Sequence, residues 1–67
     1  MAKIQLNGKK ISIKTNFSIQ DLLKKYKLVN KKIAIEHNGT IIPKIYYKKK
    51  FLKNEDKVEI VHFIGGG

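Results

Sequence analysis

The sequence contains no cysteine, no tryptophan and no arginine, and a single proline and a single methionine. Without cysteine the chain can form no disulfide, no thiolate metal site and no cysteine nucleophile. Without arginine it lacks the planar bidentate fork that dedicated phosphate and base readers normally use. Its two histidines, His37 and His62, lie far apart with no paired-ligand spacing, so no metal site is expected. Long apolar runs are missing too. The opening MAKIQLNGKK has no signal-peptide core, and no segment approaches the ~20 apolar residues that span a bilayer. A cytoplasmic protein with no membrane contact is expected, which also accounts for its doing without disulfides.

What the chain has in abundance is lysine. Fifteen lysines face five acids, giving a formal net charge of +10 over 67 residues. The lysines are spread along almost the whole chain among many isoleucines and asparagines. This reads first as compositional bias of the source genome, then as complementarity to an acidic protein partner, and last as nucleic-acid binding. The length allows one domain with one modest core, burying about 60% of its unfolded surface.

Lys3 to Leu6 alternates polar and apolar, Asn7-Gly8 is a strong hairpin signal, and Lys10 to Lys14 alternates again. A β-hairpin with Ile4, Leu6, Ile11 and Ile13 facing inward follows. The period then changes. Ser18 is a good N-cap, Asp21 stands where a capping box prefers Glu or Gln, and Phe17 is placed to staple onto Leu22. Ile19, Leu22, Leu23 and Tyr26 form one apolar stripe of a short helix, with Lys24, Lys25 and Lys27 in its last turn. Ile33 to His37 is a third strand, and Asn38-Gly39 a second turn. Thr40 to Ile42 is a return strand cut short by Pro43, as suits a sheet edge. Ile45 to Lys53 is irregular, with Leu52 its best core candidate; Asn54 to Asp56 is a polar turn. Lys57 to Ile64 is the last strand, with Val58 and Ile60 on one face and Glu59, Val61 and Phe63 on the other. Apolar residues on both faces suit a central position. The whole predicts an α+β domain over residues 1–64, a mixed sheet of four to five strands with one covering helix, the order required by a β-grasp (ubiquitin-like) fold.

No catalytic constellation assembles from these residues, so a carrier or cosubstrate rather than an enzyme is expected. Glu55, Asp56 and Glu59 read as a solvated surface, His37 as a turn-flanking residue, and His62 as a strand histidine with ordinary hydrogen bonds. Tyr46 and Tyr47 beside Lys48 to Lys50 form the one aromatic-and-basic cluster, a weak candidate for base stacking. The unusual feature is Gly65-Gly66-Gly67, which follows directly on an apolar strand. Glycine is costly to order and packs nothing, but it lets backbone pass through a channel too narrow for side chains. Three extended residues reach about 10 Å beyond the sheet. Residues 65–67 are therefore expected to be a flexible tail that presents the Gly67 carboxylate.

The Asn38-Gly39 turn with Pro43, the segment DKVEIVH from Asp56 to His62, and the terminal glycines together resemble the ThiS family of sulfur carriers in thiamine biosynthesis. The resemblance covers essentially the whole chain and departs from the family's pattern at Ile45 to Lys50, which is richer in Tyr and Lys. It implies that Gly67 is the site of covalent modification and that Gly65 and Gly66 thread into a partner. An E1-like (ThiF-like) adenylyltransferase would use Mg-ATP to activate the Gly67 carboxylate. A cysteine desulfurase would supply persulfide sulfur, and a ThiG-like thiazole synthase would accept it; no cofactor is held stably. Val61, Phe63 and Ile64 are the expected partner-binding face. Alternatives are the small subunit of molybdopterin synthase, another ubiquitin-like sulfur carrier, or, from a different class, a small basic nucleic-acid-binding module.

Overall fold

In the computed structural model, residues 1–62 are described. The elements run β1 (Ala2–Leu6), β2 (Lys9–Ile13), α1 (Ile19–Lys25), β3 (Ile33–His37), β4 (Thr40–Ile41), a single 3-10 turn (Lys44–Tyr46) and β5 (Lys57–His62). The five strands form one mixed sheet in the order β2-β1-β5-β3-β4. β5 runs parallel to β1 and antiparallel to β3, so the last strand is central, as its two-faced apolarity demands. Both hairpin turns have the positive φ pair that a type I′ turn requires: Asn7 and Gly8 at 49° and 83°, Asn38 and Gly39 at 51° and 86°.

One face of the sheet is covered. Ile4, Ile13, Ile35, Val58 and Ile60 meet Ile19, Leu22 and Leu23 of α1 in a single core. Leu6 and Ile11 share that face but are only half-buried. Of two expectations for the helix, the capping box is met and the apolar stripe needs correction. The capping box is complete, because the shorter Asp21 still accepts from the Ser18 backbone N–H while the Ser18 hydroxyl accepts from Asp21 N, both at 3.0 Å. Tyr26 does not extend the apolar stripe: α1 stops at Lys25, and Tyr26 is the exposed C-cap with Lys25 Nζ over its ring. Lys27 accordingly lies beyond the helix, in the left-handed region at φ 59°.

The stretch from Ile45 to Lys53 is ordered by the helix it borders. Ile19 N–H donates to Lys50 O and Gln20 N–H to Tyr47 O. With Asp21 N–H on the Ser18 hydroxyl and Leu22 N–H on Ser18 O, all four N–H groups of the first helical turn are satisfied. Leu52 is buried as expected. Tyr47 is buried too, which overturns its reading as an exposed stacking residue; burial raises its phenol pKa.

Candidate functional site

The candidate site is the exit of β5, so its geometry follows from what holds that strand. At its start, Asn38 clamps Lys57: Lys57 N–H donates to Asn38 Oδ1 and Asn38 N–H to Lys57 O, each at 2.8 Å. Beyond the point where β1 ends, Asn7 takes over. Its Oδ1 accepts from Ile60 N–H at 2.7 Å and its own N–H donates to Val58 O at 2.9 Å. The two Asn-Gly turns therefore shape the hairpins and also fix the central strand from both sides. On the β3 side, pairing continues to Ile33 opposite His62, the last described residue.

Asp56, just before β5, is buried and not part of a solvated surface, which corrects the reading of the acidic turn. Its carboxylate accepts from His37 Nε2 at 2.7 Å, Lys53 N–H at 2.8 Å and Asn38 Nδ2 at 3.0 Å. Burial pushes its pKa up, but the hydrogen bonds from His37, Lys53 and Asn38 and the field of His37 outweigh this and leave it below the usual carboxylate range. An ionised carboxylate only accepts, so His37 Nε2 must carry the hydrogen. His37 is thus a buried structural residue, not a bystander of the turn. Spacing alone missed this cluster, since its partners are 19 residues apart and meet only when β3 and β5 pair.

Of the residues singled out for partner contact, Val61 lies on the uncovered face and is 55% exposed. Its neighbours there are Ala34, directly opposite, and the pair Glu36 and Glu59. Phe63, Ile64, Gly65, Gly66 and Gly67 lie outside the described residues, as does the proposed tail with its boundary at 64/65. His62 is exposed beside Ile33. Of the two tyrosines in the aromatic-and-basic cluster, Tyr46 alone is exposed. A surface cleft of about 480 Å³ between β2 and α1 has Asp21 as its one acid, and that carboxylate is committed to the helix cap. Among the described residues no group of His, Asp or Glu is placed to hold a metal, and no helix is long and apolar enough to cross a membrane.

Comparison with known proteins bears on this scaffold directly. Residues 3–67 match the ThiS family. The chain is 48% identical to the sulfur carrier protein ThiS of Bacillus subtilis over 65 residues, 96% of this chain and 98% of that one. It is also 35% identical over 65 residues to a thiazole synthase of Paramagnetospirillum magneticum, spanning 97% of this chain and 20% of that protein. The crystal structure of the thiamine biosynthesis protein ThiS from Geobacter metallireducens superposes with a TM-score of 0.83 at 25% identity, covering 97% and 99% of the two chains. Sequence and β-grasp fold agree along nearly the whole chain, and on that ground it belongs to the ThiS family.

Proposed function

We propose that this chain is the sulfur carrier for thiazole formation in thiamine biosynthesis, with the sulfur borne as a thiocarboxylate on Gly67. The observation that carries this reading is the match with a sulfur carrier ThiS over almost the full length of both chains. A thiazole synthase that contains a segment similar to this chain supports such a synthase as the acceptor.

The chemistry follows from the carboxylate. With a pKa near 3.5 a terminal carboxyl is ionised at neutral pH and is a poor electrophile. An E1-like enzyme overcomes this by letting the carboxylate attack the α-phosphate of Mg-ATP, releasing pyrophosphate and leaving an acyl-adenylate. The terminal sulfur of a desulfurase-derived persulfide then displaces AMP, and a second thiol cleaves the resulting S–S bond to free the thiocarboxylate. All the catalytic groups reside on the partners, which position the reacting atoms and stabilise charge. The chain itself supplies a scaffold, a docking face that includes Val61, Phe63 and Ile64, and a terminus at which Gly65 and Gly66 present no side chain to a narrow channel. The setting is the cytoplasm, where ATP is available.

Intact-mass analysis after incubation with an E1-like enzyme, ATP and a persulfide donor tests the reading. One oxygen exchanged for sulfur at Gly67 is expected, and none after deletion of Gly66-Gly67 from a chain that still folds. Unmodified wild-type protein in that assay would refute the proposal. Salt-sensitive binding to nucleic acid that ignores the deletion would favour the basic-module alternative.

A further inference from the structure

The uncovered face of the sheet carries a charge arrangement that the fold does not need. Glu36 on β3 and Glu59 on β5 are direct cross-strand partners. Like charges in that position oppose strand pairing. The other three acids have local roles: Asp21 caps α1, Asp56 holds the turns together, and Glu55 sits in the turn before β5. So the two acids without such a role, in a chain of net charge +10, stand side by side on an open face. Among the described residues neither has an ion-pair partner.

Towards β4 and towards the end of β5 their surroundings are apolar. Ile41 lies directly opposite Glu36 and is 60% exposed; Val61, two pairs along from the acids and so on the same face, is 55% exposed and faces Ala34. The same face turns positive towards β1 and β2, where Lys3 and Lys10 lie, and at Lys57 at the start of β5. A negative centre thus lies close to the β3–β4 turn, with Ile41, Ala34 and Val61 as its apolar rim and Lys57 on its remaining side. A surface of this sign on a lysine-rich protein selects a cationic group, and apolar contacts around it exclude water and strengthen the attraction. Neighbouring strands lie about 4.8 Å apart, a span that one guanidinium bridges by donating to both carboxylates.

We propose that the Ile41, Ala34 and Val61 face with the Glu36–Glu59 pair docks the activating enzyme through an arginine that the enzyme presents from an apolar surface. This rests on the carrier reading and adds the chemistry of its first contact. Docking relieves the repulsion between the two carboxylates, so the cost borne by the free protein is recovered only on the correct partner.

The test is steady-state pyrophosphate release by the E1-like adenylyltransferase of the same organism, with full-length wild type, Glu36→Gln and Glu59→Gln. Each substitution is expected to raise the KM for the carrier about tenfold with kcat unchanged. The urea midpoint of the carrier should stay level or rise, which a merely structural role would not produce. The KM of the wild type should also climb more steeply with salt than that of either variant. Unchanged KM values in both variants would overturn the inference, as would a raised KM accompanied by a lowered urea midpoint. Loss of binding to the thiazole synthase with adenylation intact would also overturn it, since the occupant would be the acceptor. Failure of the wild type to be adenylated at all is a separate result that removes the carrier reading and this inference with it.

Discussion

Asp56 is the residue on which the most distant backbone depends, for its one carboxylate receives the β3–β4 turn through Asn38, strand β3 through His37, and its own turn through Lys53. Asp56→Ala removes all three acceptor contacts and leaves a buried imidazole N–H unpaired. A loss of about 2–3 kcal/mol in unfolding free energy is expected, read by urea denaturation. The same residue sets a pH dependence. Its folded pKa lies below the unfolded value, so the native state binds fewer protons than the unfolded chain. The contribution is therefore present at neutral pH and disappears as pH falls from about 4 through the folded pKa. The urea midpoint should drop between pH 6 and pH 3, and should drop less in Asp56→Asn; equal drops would locate the acid sensitivity elsewhere.

At the scale of the element, α1 is short, with seven residues, and its survival depends on its ends. The N-terminal turn is satisfied partly by its own capping box and partly by carbonyls of the 47–50 segment. The C-terminal end closes as a Schellman motif: Leu28 N–H reaches Leu23 O at 2.8 Å and Lys27 N–H reaches Lys24 O at 3.2 Å. This geometry places Lys27 at φ 59°, where a side chain is strained and glycine is not. Lys27 is exposed, so Lys27→Gly should stabilise the protein by about 0.5–1 kcal/mol, measurable as a rise in Tm. The box was legible because Ser18 and Asp21 are three residues apart. The Schellman end was not, since lysine gives no hint of a left-handed residue and glycine is the usual signal.

At the scale of the whole molecule, fifteen lysines and five acids leave a self-repelling charge. The one ion pair found among the described residues is the buried His37–Asp56 contact, so surface attraction does little to offset it. Added salt screens repulsion between exposed lysines, because the Debye length falls to about 3 Å at 1 M. The urea midpoint is therefore expected to rise between 20 mM and 500 mM NaCl. A fall would mean that hidden attractive pairs outweigh the repulsion.

The order of elements, the two Asn-Gly turns, the central last strand and the family itself were determined by sequence alone. Each rests on local rules: period 2 against period 3.6, positive φ at fixed turn positions, or a short motif read in line. Tertiary structure decided the rest. It buried Tyr47 and left Tyr26 outside, and it joined His37 to Asp56. It made side chains of the two turn asparagines partners of β5, and it set Glu36 against Glu59. These outcomes depend on which strands become neighbours and in what register, and a shift of one residue would reverse every side chain on a strand. Such pairings between distant residues are fixed only when the whole sheet closes around its core.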